Sequence, residues 1–114
     1  MYNRRYLFEV LSRETRRAQR YGRPFALALL DYVFRYGGDE FLLFLPETDE
    51  AGAEEAVKRL RGKLQAWSQT LGLGFVLDFS AGIVAYDPQN GRHPEELLRE
   101  AEQRLYAMKK ARLG

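Results

Sequence analysis

FALALLDYVFRYGGDEFLLFLP, residues 25–46, is the stretch on which the fold turns. Phe25 to Leu30 is a short, continuous apolar run, the pattern of a strand buried on both faces. Tyr32, Phe34 and Tyr36 then alternate with Val33 and Arg35, which reads as a half-buried strand. Gly37-Gly38-Asp39-Glu40 has hairpin-turn chemistry, because glycine tolerates the positive φ that such turns demand. Phe41 to Leu45 is the return strand, and Pro46 ends it.

On the N-terminal side, Leu7, Val10, Leu11, Ala18 and Tyr21 recur at roughly helical spacing with arginines between them, predicting an amphipathic helix. Gly22 and Pro24 stop it, the first as a C-terminal cap and the second because it cannot continue the hydrogen-bond ladder. On the C-terminal side, Ala53, Ala56, Val57, Leu60, Leu64, Trp67 and Leu71 keep an i, i+3, i+4 rhythm, with Thr48 or Asp49 as N-cap. Trp67 falls on that stripe and is read as core. Phe75 to Tyr86 reads as a strand, and Gly82 inside it marks a bulge or a close backbone approach. After the loop Asp87-Pro88-Gln89-Asn90-Gly91, Pro94 opens a last helix whose buried stripe is Leu97, Leu98, Ala101, Leu105 and Met108. The order is helix, strand, strand, hairpin, strand, helix, strand, helix: an α/β (α+β) chain without repeat or linker.

The 114 residues suit one small domain. With 46% hydrophobic and 13% aromatic residues there is material for a core. The net charge is +2, and the 18 basic residues are scattered rather than gathered into a stripe, so no DNA partner is expected. Cysteine is absent, which excludes disulfides and thiolate metal sites. No signal peptide is visible and no apolar run approaches the ~18 residues of a membrane span. A cytoplasmic protein with no membrane contact is the expectation.

Two glycines followed by two acids have two readings. One is a turn that happens to be acidic. The other is a phosphate and metal site, in which bare glycine backbone approaches a triphosphate and adjacent carboxylates offer hard oxygens to Mg²⁺. Such an ion would acidify a ribose hydroxyl and neutralise charge on the phosphate under attack.

Motifs in order along the chain favour the second. Tyr36-Gly37-Gly38-Asp39-Glu40-Phe41 followed by an apolar strand and Pro46 resembles the signature of the GGDEF family. Asn3-Arg4-Arg5 resembles its opening motif, Ser80-Ala81-Gly82-Ile83 its late strand, and Ala101-Glu102 with Leu105-Tyr106 and Lys109 its closing helix, with Glu102 where the family usually has aspartate. The resemblance covers nearly all of residues 1–114. It implies a ferredoxin-like, palm-type core over residues 25–113 preceded by the helix of residues 1–22. Active members condense two GTP into cyclic di-GMP with Mg²⁺, two domains meeting face to face. By resemblance Asp39 and Glu40 are catalytic, Asp31, Asp39 and Glu40 bind metal, and Gly37, Gly38, Lys109 and Arg35 contact the nucleotide.

One part of the family pattern is missing. After the aspartate matched by Asp31, members continue with a second acid, a phenylalanine-lysine pair, an asparagine-aspartate pair, a glycine-histidine pair and a long helix. Here Asp31-Tyr32-Val33 runs straight into the signature strand, so roughly two helices' worth of chain is absent. The lost segment would supply phosphate-binding amides and guanine-recognising side chains. Asp31 therefore fits either the end of the first strand or the residue preceding the signature strand. In the second register it would close the family's product-inhibition motif, but Ala28 stands where that motif has arginine. A parallel crossover needs about a dozen residues, so the core is expected either to rearrange locally or to swap elements between chains; the lost helix also bares a sheet face, so a homodimer or higher oligomer is expected. The expected function is a truncated cyclase-family domain with little or no activity; the alternative is a degenerate nucleotide-binding or oligomerisation module. His93, just before Pro94, is read as a helix-capping or solvent residue rather than a catalytic one, and Asp78 and Asp87 receive no role.

Overall fold

The computed structural model describes residues 3–34, 37–72, 74 and 78–113. Six elements follow one another: α1 (Arg4–Tyr21), β1 (Phe25–Phe34), β2 (Gly37–Pro46), α2 (Glu50–Thr70), β3 (Phe79–Tyr86) and α3 (Pro94–Leu113). The sheet order is β2-β1-β3, and both pairings are antiparallel. This mixed α+β arrangement is consistent with a shortened ferredoxin-like fold.

Local chemistry sets most boundaries. The Asn3 side chain caps α1 by accepting the Tyr6 N–H at 3.0 Å, and Gly22 ends the helix in the left-handed region at φ 66°. Asp49 caps α2 through the Gly52 N–H at 2.8 Å. The hairpin differs from expectation. The run from Phe25 and the alternating segment after it form one strand, β1, and Gly37 to Glu40 belong to β2 rather than to a turn. The ladder pairs Phe34 with Gly37 and Val33 with Gly38, so the connection falls on residues 35 and 36, outside the described residues. The strand expected from Phe75 begins at Phe79, and residues 75–77 also lie outside the description.

This pairing removes the need for a crossover. Parallel strands require a long connection, whereas antiparallel neighbours close with two residues. The first strand runs antiparallel to the return strand, so the sheet closes within one chain.

Two apolar layers flank the sheet. Phe25, Leu27 and Leu29 of β1 and Val84 and Tyr86 of β3 pack on Leu7, Leu11 and Ala18 of α1 and Leu97, Leu98, Ala101 and Leu105 of α3. The alternate residues Ala28 and Leu30, with Phe79 and Ala81, pack on Val57 of α2. Period-two alternation thus sends odd positions of β1 to α1 and α3 and even positions to α2. The helix stripes are not buried along their whole length. Trp67 is 56% exposed, and Leu71, Tyr21 and Met108 are exposed as well. The reading of Trp67 as core is corrected: α2 packs on β1 and β3, and its last turns have no described strand to cover.

Candidate functional site

Asp31 sits on β1 directly between Glu40 of β2 and Ser80 of β3. It belongs to the face covered by α1 and α3, where it is buried. Its Oδ2 meets Nζ of Lys109 at 2.9 Å. The reach from α3 depends on Gly82. A Cβ there would lie 2.1 Å from the Ala101 carbonyl oxygen and 2.7 Å from the Leu105 amide nitrogen, so only glycine lets the helix settle on the sheet. One turn beyond Leu105, Lys109 continues the same helix face and arrives over Asp31, two register steps along the sheet from Gly82. Of the bulge and the close approach that a strand glycine suggested, Gly82 is the close approach.

The other expected site residues are only partly gathered here. Glu40 is half-buried and shares the register step of Asp31. Gly37 and Gly38 occupy the first positions of β2, and the ladder sets Asp39 against Tyr32, not against Asp31. The side chain of Asp39, and Arg35 and Tyr36 altogether, lie outside the description. Among the described residues no three carboxylates or histidines gather as a metal site. Mg²⁺ takes near-octahedral oxygen coordination, yet the Asp31 carboxylate is buried and already holds an ammonium. Among the described side chains no donor set for that ion is assembled.

On the opposite face Tyr32 packs edge-on to Phe41, ring centroids 5.1 Å apart, and against Phe79 at 5.2 Å. Burial there raises the Tyr32 phenol above its usual value, so it stays neutral. Three grooves of about 540, 660 and 330 Å³ are lined by residues other than Asp31, Glu40 and Lys109.

Several interactions carry no sequence signature. Arg61 pairs with Asp78 at 2.8 Å, donates to the Phe79 carbonyl at 3.0 Å and lies 4.7 Å from the Phe79 ring centroid. Asp78 also accepts the Phe79 N–H at 2.8 Å, which gives it a structural role at the start of β3. Ser80, fully buried opposite Asp31, was seen only as part of a strand motif. His93 caps α3, its Nδ1 accepting the Glu95 N–H at 3.2 Å.

Residues 30–113 match the family described as "Diguanylate cyclase, GGDEF domain". The chain is 27% identical over 149 aligned positions to diguanylate cyclase DosC of Escherichia coli (strain K12), and equally to DosC of Shigella sonnei (strain Ss046). Each alignment takes in 96% of this chain and 32% of the relative. Diguanylate cyclase DgcP of Pseudomonas aeruginosa is 32% identical over 82 residues, 71% of this chain and 12% of its own length. The chain therefore spans less than a third of the length of these curated relatives. A chain of 114 residues cannot fill 149 aligned positions, so at least 35 of them fall opposite gaps in it. That is ample for the crossover of a dozen or more residues that parallel strands need. The family match starts within β1 and takes in every later element, and the chain belongs to the GGDEF, or diguanylate cyclase, domain family.

Proposed function

We infer that this chain is a GGDEF module that keeps the signature on a shortened sheet and by itself turns over little or no GTP. The observation that carries this reading is the continuity of β1. It runs from Phe25 through buried Asp31 to Phe34, and two residues separate it from the signature strand. No chain remains at that point to wrap a triphosphate or to read a guanine edge. In this reading Asp39 and Glu40 keep the family's catalytic positions, and Gly37, Gly38 and Arg35 its nucleotide-binding positions. Lys109, the family's phosphate-side lysine, instead neutralises Asp31.

The purified chain is incubated with Mg²⁺ and GTP, and the mixture is chromatographed for cyclic di-GMP. No product is expected. Product that disappears in Asp39→Ala would overturn the reading and show that the signature carboxylates suffice.

A second reading, an assembly module, is favoured by the surroundings of β2. The helices pack mainly on β1 and β3, leaving this edge strand with little helical cover and with Phe41 and Phe44 exposed. The partner in this reading is a second copy of the chain.

A further inference from the structure

At the other end of the sheet from Asp31, a groove of about 330 Å³ opens between α1 and the start of α3. The ladder pairs Phe25 with Tyr86 at this end and Asp31 with Ser80 at the far one. Six register steps of β1 separate the two, roughly 20 Å at strand rise. The groove belongs to no part of the signature region.

Its chemistry is one-sided. Tyr86 lines it, is 1% exposed, and among the described residues has no hydrogen-bond partner for its hydroxyl. A buried hydroxyl normally finds a partner. Arg16 lines the same groove from the exposed side of α1, and no described carboxylate pairs with it. His93 spends Nδ1 on the Glu95 N–H, which leaves Nε2 to carry the ring proton. Arg92 and Gln19 add further donors, and no acidic residue lines the groove. Of the acids on α3, Glu100 pairs with Arg92 and Arg104, and Glu95 with Arg4.

The helix start contributes differently. The Glu96 and Leu97 N–H groups are satisfied by the His93 carbonyl, and Pro94 has none to offer. Direct contacts therefore come from side chains, while the positive end of the α3 dipole favours negative charge in the same place.

We propose that this groove binds a phosphate group, held by the Arg16 guanidinium, the buried Tyr86 hydroxyl and the His93 ring N–H. The shared chemistry is a phosphate monoester or free phosphate, and the site works independently of the reading given for the signature strand. A phosphate fits because it offers several acceptor oxygens to donors arriving from three elements, and an arginine fork matches two of them.

The test is an NMR titration that follows the Gly91, Arg92 and His93 amides. Inorganic phosphate and guanosine 5′-monophosphate are the probes, with chloride at matched ionic strength as control. Saturable shifts are expected with both phosphate probes and not with chloride. Tighter binding of the nucleotide identifies a phosphorylated metabolite as the natural source; equal binding identifies the bare phosphate group. Arg16→Gln, an exposed position, should weaken affinity about tenfold. Tyr86→Phe should weaken it by a similar factor while leaving the fold as stable as before, since it removes an orphan hydroxyl. Shifts that chloride reproduces, or that neither variant weakens, would overturn the proposal.

Discussion

Asp31 is a nearly buried carboxylate paired with Lys109, 78 positions further along the chain. Removing the partner leaves an uncompensated buried charge, which in a fully buried pair costs about 3–5 kcal/mol. Lys109 is 40% exposed, so water shares the screening. Lys109→Met should therefore lose about 1–3 kcal/mol in urea denaturation, and adding Asp31→Asn should restore part of it. A stability unchanged in Lys109→Met would show that the pair contributes nothing. Gly82→Ala is the sharper change. Its methyl would meet the backbone of α3, which cannot rotate aside as a side chain would. A loss of about 3 kcal/mol is expected, with α3 lifted from the sheet. Gly82 could be read as a bulge or a close approach because a strand glycine has few other reasons to be there. The partner of Lys109 could not, because nothing local links the two positions.

Between elements, α1 and α3 are clamped by Arg4. It pairs with Glu95 at 2.7 Å and Glu102 at 3.1 Å, so the opening and closing motifs of the family resemblance meet in space. The Arg4 hydrogen bond holds the Glu95 carboxyl below its usual value. A depressed acid stabilises the fold above its unfolded pKa and loses that contribution as pH falls through the folded value. The clamp should therefore loosen in acid, as pH falls below the ordinary glutamate range. In melting curves against pH, Glu95→Gln should differ from the parent near neutrality and converge with it in acid; a difference independent of pH would exclude the ion pair as its source. At the start of α2, Asp49→Ala removes the side chain that accepts the Gly52 N–H and should cost about 1 kcal/mol. These caps were legible because their chemistry is local. The exposure of Trp67 was not: periodicity shows which residues share a face of a helix, not how far the sheet beneath extends.

At the level of the whole molecule, β2 is an edge strand of ten residues with an uncharged centre, Phe41 to Leu45. Edges of this kind are commonly covered, interrupted by charge or paired with another chain. Light scattering should show a dimer, and Phe41→Lys should shift it towards monomer with little loss of stability, since Phe41 is 48% exposed. A monodisperse monomer of the parent chain would remove the assembly reading.

Candidate helix caps, apolar periodicities, a bulge or close approach at Gly82 and family membership could all be read from the sequence alone, because each rests on residues close together or on motifs in a fixed order. Tertiary structure decided the rest. It joined Phe25 to Phe34 into one strand and placed Gly37–Glu40 in β2 rather than in a turn, because the antiparallel register pairs them with β1. It also gave Asp31 to Lys109 and opened the Tyr86 groove. Both depend on where α3 crosses the sheet, a geometry that follows from packing two faces at once and is written in no single stretch of residues.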